Sequence, residues 1–306
     1  ELWKAVCIAA YWHGWNGGIY RRAYRQAAYS SLLESEKITK ERGIFKPSIF
    51  ITDFDMDGNQ EYLYRGININ AYVHPQGASV IELDYFPTCW NYCATMARHE
   101  ELYLQENAQC DIQPRNSFVD HIYEQPVGEK ELLNNGLTDT VDFSQTIFSE
   151  ESINRDNREV TLSAELVARL KDGDLPLRLC KSYLFRKNTV ILQYALETSS
   201  EAMREFTFST ELNLAFSSAD MLKAESVPGE DGGQLLSLED GGLKSRITLS
   251  CDQRFEWNAV PMIIPYLTEE GIVEEYQQHV LMLNWKVALI SGTPWNGTVQ
   301  VKIDKL

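Results

Sequence analysis

A chain of 306 residues with 44% apolar and 24% charged side chains is long enough to bury a large core, which excludes a disordered segment, a collagen-like repeat and a disulfide-stapled mini-protein. Its 44 acidic against 28 basic residues give a formal charge of −16, a balance that repels phosphate backbones and anionic headgroups and argues against nucleic acid or a membrane surface as partner. No apolar stretch reaches the length of a bilayer span, and the opening residues have neither the basic start nor the small-residue cleavage site of an export signal.

The chain opens at Glu1 inside sequence that already reads as helix, so it is expected to be part of a longer polypeptide. Tyr24, Ala27, Ala28, Leu32 and Leu33 recur near the helical period, which predicts a helix from about Ile19 to Lys40. Ahead of it, Trp12-His13-Gly14-Trp15-Asn16-Gly17-Gly18 is too rich in glycine for a helix and predicts a tight, aromatic connection. Lys46-Pro47 ends the helical pattern, and β-branched and aromatic runs follow at Ile49-Phe50-Ile51, Tyr62-Leu63-Tyr64, Ile67 to Val73 and Val80 to Tyr85. Further strands are expected from Arg158 to Ile303, with turns rather than ten-residue helices between them. Residues 1–42 therefore read as a short helical segment and 43–306 as one mainly β domain, a large antiparallel sandwich. Within it, Thr88 to Glu106 is expected to carry a short helix over a sheet edge, and Pro228 to Gly242, with its acidic glycine clusters, to be a surface loop. The six cysteines are dilute and form no cystine framework, so they read as reduced thiols of a cytoplasmic protein.

Asp53-Phe54-Asp55-Met56-Asp57-Gly58-Asn59-Gln60-Glu61 places three carboxylates on alternate residues, then a glycine that permits a sharp turn and a later glutamate. Wrapped around a point, Asp53, Asp55, Asp57 and Glu61 with the Asn59 carbonyl would form an oxygen shell suited to a structural Ca²⁺. The match to an EF-hand is incomplete, since its final glutamate comes later and helices rather than strands should flank it. The same residues also read as an acidic turn between two strands, with Asp57-Gly58 at its tip.

Trp12, His13, Trp15 and Asn16 make a second constellation, because indole faces pack on the C–H faces of sugar rings while imidazole and amide groups bond to hydroxyls. Tryptophans beside a helix also serve as core anchors. His99 and His121 have the type of a general acid or base but no fixed spacing, and read as satisfied histidines. The chain contains no G-x-S-x-G, phosphate-cradling glycine loop or H-E-x-x-H.

Ala10-Tyr11-Trp12-His13-Gly14-Trp15-Asn16-Gly17-Gly18-Ile19-Tyr20 resembles the A-Y-W-H-G-x-x-G-G-x-Y motif of glycoside hydrolase family 57, in its 4-α-glucanotransferase and α-amylase branch. The resemblance runs on through Arg25 to Leu33, the acidic loop Asp53 to Glu61, Gly77 to Tyr85, Ala97 to Tyr103 and Ser117 to His121. It implies an N-terminal (β/α) barrel, a helical connection beginning this chain, and a β-supersandwich similar to that of galactose mutarotase. It also implies an α-1,4-glucan or maltooligosaccharide substrate, and a retaining reaction whose glutamate nucleophile and aspartate acid-base, about 5 Å apart, lie on the barrel and not in these residues. No catalytic residue is then expected here, and Trp12, His13, Trp15 and Asn16 would form part of the outer substrate wall. The family's usual Asn-Asp before this motif is Ile8-Ala9 here.

Two other functions fit parts of the sequence. An independent carbohydrate-binding module would present Trp257, Trp285 or Trp295 from a sandwich face to solvent. An aldose mutarotase would need a His/Glu acid-base pair in the sandwich concavity, and fold likeness alone does not transfer that activity.

Overall fold

Two adjacent glycines decide where the long helix begins. Gly17 and Gly18 both take left-handed backbone conformations, with φ of 82° and 48°, and the chain turns through a 3-10 segment, Gly18–Tyr20, before Arg21 extends. The helix therefore starts at Arg22, not at Ile19 as its apolar spacing predicts, and runs 21 residues to Arg42. A short helix α1 (Leu2–Ala5) precedes this α2 (Arg22–Arg42), whose last turn carries Lys40 and Arg42 against the free carbonyls. The buried side of α2 is more polar than apolar: Arg22, Arg25, Gln26, Ala28 and Leu33. Docking accordingly relies on hydrogen bonds, from Ser30 Oγ to the Cys89 carbonyl at 2.9 Å and from Lys40 Nζ to the Gly66 carbonyl at 2.7 Å.

The computed structural model describes residues 1–12, 17–98, 110–111, 114–124, 140–141, 143–220, 222–229 and 232–306. Three antiparallel sheets follow α2. The first is a meander of β1 (Ser48–Thr52), β2 (Glu61–Arg65), β3 (Ile69–His74), β4 (Ser79–Tyr85) and β5 (Trp90–Asn91). Its β3 is buried at every position, because Asn70 faces Lys40 of α2 while Ile69, Ala71 and Val73 join the main core.

The second sheet has the order β15 (Glu256–Thr268), β16 (Gly271–Leu289), β11 (Arg204–Leu214), β6 (Val119–Tyr123). The third has eight strands in the order β12 (Leu222–Pro228), β13 (Gln234–Asp240), β14 (Ser245–Cys251), β17 (Trp295–Lys305), β10 (Thr189–Thr198), β9 (Gly173–Phe185), β8 (Glu159–Leu170), β7 (Ser149–Asn154). Along β9 buried and more exposed residues alternate, the mark of an antiparallel sheet with one solvated face. Inward residues of all three sheets share one apolar core, and this mainly antiparallel β architecture behind a short helical segment is the predicted one. Among the described residues no helix is long and apolar enough to cross a membrane, and none of the six cysteines is in a disulfide.

Three expectations need correction. Pro228 to Gly242 is not all loop: Leu236 and Leu238 alternate inward, which makes Gln234–Asp240 a strand paired with both β12 and β14. No helix spans Thr88 to Met96; Trp90–Asn91 pairs with β4, and residues 99–106 lie outside the described set. Trp285 is 4% exposed, and Trp257 and Trp295 pack partly buried against the same core. All three indoles thus pack on the sandwich core, with Phe208 tilted against both Trp285 and Trp295, where a binding module would present them to solvent.

The β15–β16 hairpin carries a second, smaller core. Met262, Ile264 and Tyr266 of its alternating inner face meet Tyr20 and Met96, while Pro261 and Pro265 occupy exposed positions on the edge strand, where a missing N–H costs the ladder nothing.

Candidate functional site

The acidic loop joins β1 to β2. Met56 and Gly58 adopt positive φ, and the loop's carboxylates tie down its own amides. Asp53 accepts from Gly58 N at 3.2 Å, Asp55 from Asp57 N at 3.2 Å, and Asp57 from both Asn59 N at 2.7 Å and Asn59 Nδ2 at 2.8 Å. Glu61 Oε2 accepts the Phe54 N–H. The result brings Asp55, Asp57 and Glu61 together with His74 so that one ligand atom from each lies within 4.8 Å of the others.

His74 comes from β3, two strands along the meander. Tyr62 pairs with Val73, and extending that register by one residue sets His74 opposite Glu61. Its Nε2 stands 3.2 Å from Asp57 Oδ2, 3.4 Å from Glu61 Oε1 and 3.7 Å from Asp55 Oδ2. Its Nδ1 accepts the Gln76 backbone N–H at 3.0 Å, so in the neutral ring the proton resides on Nε2 and points at the carboxylates. That proton faces all three acids, while each backbone N–H of the loop serves one carboxylate. Burial pushes the Glu61 carboxyl upward, against the pull of the Phe54 N–H, and the charges of Asp55 and Asp57 push the same way as burial. Asp57 is held low by the Asn59 backbone and side-chain N–H groups, with His74 adding to the effect.

Glu61 is fully buried, yet its Oε1 makes no hydrogen bond. An orphaned carboxylate oxygen facing two further carboxylates leaves the site short of positive charge. The donors are hard oxygens, and His74 cannot offer an Nε2 lone pair while Nδ1 receives Gln76, so the residues present suit a hard divalent cation such as Ca²⁺ better than zinc. Of the residues named from the sequence, Asp55, Asp57 and Glu61 converge. Asp53 is turned to Gly58 N and the Asn59 amide to Asp57, so both brace the loop. His74 carries no signal in the local motif.

The aromatic loop lies at the other end of α2. Trp12 is 69% exposed; His13, Trp15 and Asn16 lie outside the described residues. The described ends of the loop are fixed: Ile19 N donates to the Trp12 carbonyl at 3.1 Å, and the Tyr11 hydroxyl donates to the Ala5 carbonyl at 2.8 Å.

A third constellation is internal. His121 Nε2 lies 3.2 Å from Glu211 Oε2, and Arg115 bridges Glu211 at 3.0 Å to Asp111 at 2.6 Å. Burial alone would raise the Glu211 carboxyl, but Arg115 and His121 overcome it and hold it down at about 2. Nearby, the fully buried Lys181 pairs with Asp120 at 2.7 Å. This His/Glu pair has the composition a mutarotase needs, but neither side chain is more than 1% exposed, so neither is presented to a sugar. His121, read from the sequence as a satisfied surface or interior histidine, is interior, and the Arg115–Glu211 network carried no sequence signal because its members are distant in the chain.

A family model described as alpha-amylase/4-alpha-glucanotransferase, C-terminal, matches residues 53–110 and 104–299, and the middle-domain model of the same name matches residues 1–39. The chain is 26% identical over 337 residues to a protein named Alpha-amylase 1 from Dictyoglomus thermophilum, covering 98% of this chain and 48% of that one. It is 34% identical over 101 residues to a 4-alpha-glucanotransferase from Thermococcus kodakarensis, across 33% of this chain and 14% of the relative. The solved 4-alpha-glucanotransferase of Thermococcus litoralis superposes with a TM-score of 0.82 at 21% identity, over 97% of this chain and 45% of its own. A galactose mutarotase-like protein of Clostridium acetobutylicum shares the sandwich fold at TM-score 0.52 and 9% identity, over 85% of this chain and 99% of that one. The chain thus spans about half the length of the relative and the solved structure that it matches from end to end.

Proposed function

The chain belongs to the alpha-amylase/4-alpha-glucanotransferase family, and from that membership we propose that it is the C-terminal part of an enzyme acting on α-1,4-glucan or maltooligosaccharide, with no catalytic residue of its own. In this reading the paired catalytic carboxylates belong to an N-terminal (β/α) barrel, residues 1–42 connect to it, and residues 43–306 form the supporting sandwich. A structural Ca²⁺ held by Asp55, Asp57 and Glu61 pins the start of the sandwich, and a cytoplasmic location accords with six cysteines that form no disulfide. The burial of the His121–Glu211 pair counts against a mutarotase, and the packing of Trp257, Trp285 and Trp295 on the apolar core counts against a free-standing binding module.

The observation that carries the proposal is the exposure of Trp12 in a loop whose ends are tied down, where a rigid indole can stack on a glucose ring at low entropic cost. In the intact enzyme Trp12→Ala should weaken maltooligosaccharide binding by roughly 1 to 3 kcal/mol, as loss of an aromatic anchor does at other sites. The melting temperature should barely move, because Trp12 touches neither apolar core. Unchanged KM together with a large fall in melting temperature would make Trp12 a packing residue.

A further inference from the structure

Residues 17–20, which lead from the aromatic loop into α2, are held from a part of the molecule more than two hundred residues away in sequence, the distal half of the β15–β16 hairpin. There the register slips: Met262 pairs with Gln278 but Ile263 pairs with Tyr276, which leaves Gln277 as the extra residue of a β-bulge. A bulge re-aims the side chain it carries. The buried Gln277 amide turns to the loop, donating from Nε2 to the Tyr20 carbonyl at 2.9 Å and accepting Arg25 Nη2 on Oε1 at 2.6 Å. Arg25 Nη1 in turn donates to the Ile19 carbonyl. Tyr266, from the other strand of the hairpin, stacks on Tyr20 with ring centroids 6.4 Å apart. The same ring fills the space beside Gly17, where an added Cβ would sit 2.2 Å from Tyr266 Cε2. Two carbonyls and one glycine of the segment that follows Trp12 are thus gripped by hairpin side chains, directly or through Arg25.

We infer that the bulged hairpin is a positioning clamp for residues 17–20, which close back on the Trp12 carbonyl, with Gln277 and Tyr266 the positioning residues that keep the Trp12 indole ready for a sugar ring. The clamp makes the sandwich part of substrate recognition, beyond its use as scaffold, and this functional half rests on the reading of Trp12 as a glucan contact.

Three amides report on the clamp directly, because Ile19 N, Tyr20 N and Arg21 N close the turn onto the Trp12, Gly17 and Gly18 carbonyls. Hydrogen exchange of the full chain should show these three amides at least about tenfold faster in Gln277→Leu and in Tyr266→Leu, while the β9–β10 amides keep their wild-type rates. Tyr266→Phe keeps the stacked ring and should stay near wild type, as should Val227→Ala on the exposed edge strand β12. Wild-type rates at the three amides in both leucine variants would overturn the clamp, and so would a uniform acceleration across all strands, which would make the hairpin ordinary core. In the intact enzyme, Tyr266→Leu should raise KM for maltoheptaose about tenfold with kcat within about twofold, the pattern of lost uniform binding. Faster local exchange with unchanged KM would keep the clamp and remove Trp12 as the sugar contact.

Discussion

The two oxygens of one buried carboxylate are treated differently. Glu61 gives one carboxylate oxygen to the Phe54 N–H and leaves the other buried without a hydrogen bond, facing Asp55, Asp57 and the proton of His74. A cation that binds only this folded arrangement adds RT ln(1 + [L]/Kd) to stability, about 2.7 kcal/mol at a hundredfold excess over Kd. Millimolar Ca²⁺ should therefore raise the melting temperature of the wild-type chain, and chelator should lower it again. Glu61→Gln keeps the shape, removes a charge, and should abolish the response; equal calcium responses from wild type and Glu61→Gln would reject the site. The three converging carboxylates were legible in the sequence because alternate spacing around a glycine is a local property. His74 was not, since it reaches the loop only through the pairing of β2 with β3.

At the scale of elements, the interface between α2 and the first sheet covers a pair of acids, Asp84 buried and Glu82 half-buried. Glu82 and Asp84 lie two apart on β4 and so share a face, which Tyr29 of α2 covers, its hydroxyl 3.5 Å from Glu82 Oε2. Asp84 accepts Asn70 Nδ2 at 3.1 Å, and Asn70 also faces Glu36 and Lys40 of α2, with Arg65 bonded to Glu36. Desolvation pushes Glu82 up to about 7 and, with the charge of Glu82, pushes Asp84 upward as well. A carboxyl whose pKa is higher folded than unfolded stabilises the fold while protonated. Stability should thus decline as pH rises from about 4.5, the unfolded value, through about 7. Glu82→Gln should flatten that decline in a series of denaturant melts at fixed pH; a wild-type slope in the variant would place the titration elsewhere. The helix itself was legible from its apolar spacing, apart from the three residues that the glycines at 17 and 18 divert into a turn. β13 was missed because flanking glycines and acids outweighed the short Leu-Leu-Ser-Leu alternation between them.

On the scale of the whole molecule, one buried cation ties the sheets together. Lys181 of β9 pairs with Asp120 of β6 and donates to the carbonyls of Gly77 and Phe118, so the eight-stranded sheet, the four-stranded sheet and the β3–β4 turn meet at one ammonium group. Such a pair is costly to bury, and removing one partner leaves an uncompensated charge at the point where the sheets dock. The division into three sheets could not be read from the sequence: strands were legible one at a time, but β10 lies between β9 and β17, its neighbour more than a hundred residues on. The family motif gave the architecture where local patterning stopped. The roles divide by place: Asp55, Asp57 and Glu61 converge beside His74, Asp84 lies buried next to Glu82, and the Trp12 indole stands exposed. The direct test is to incubate the purified chain with maltoheptaose and resolve the products by chain length. The account predicts maltoheptaose alone at every time point; a ladder of shorter and longer oligosaccharides that persists after removal of contaminating amylase would contradict it, because the chemistry would then reside in these 306 residues.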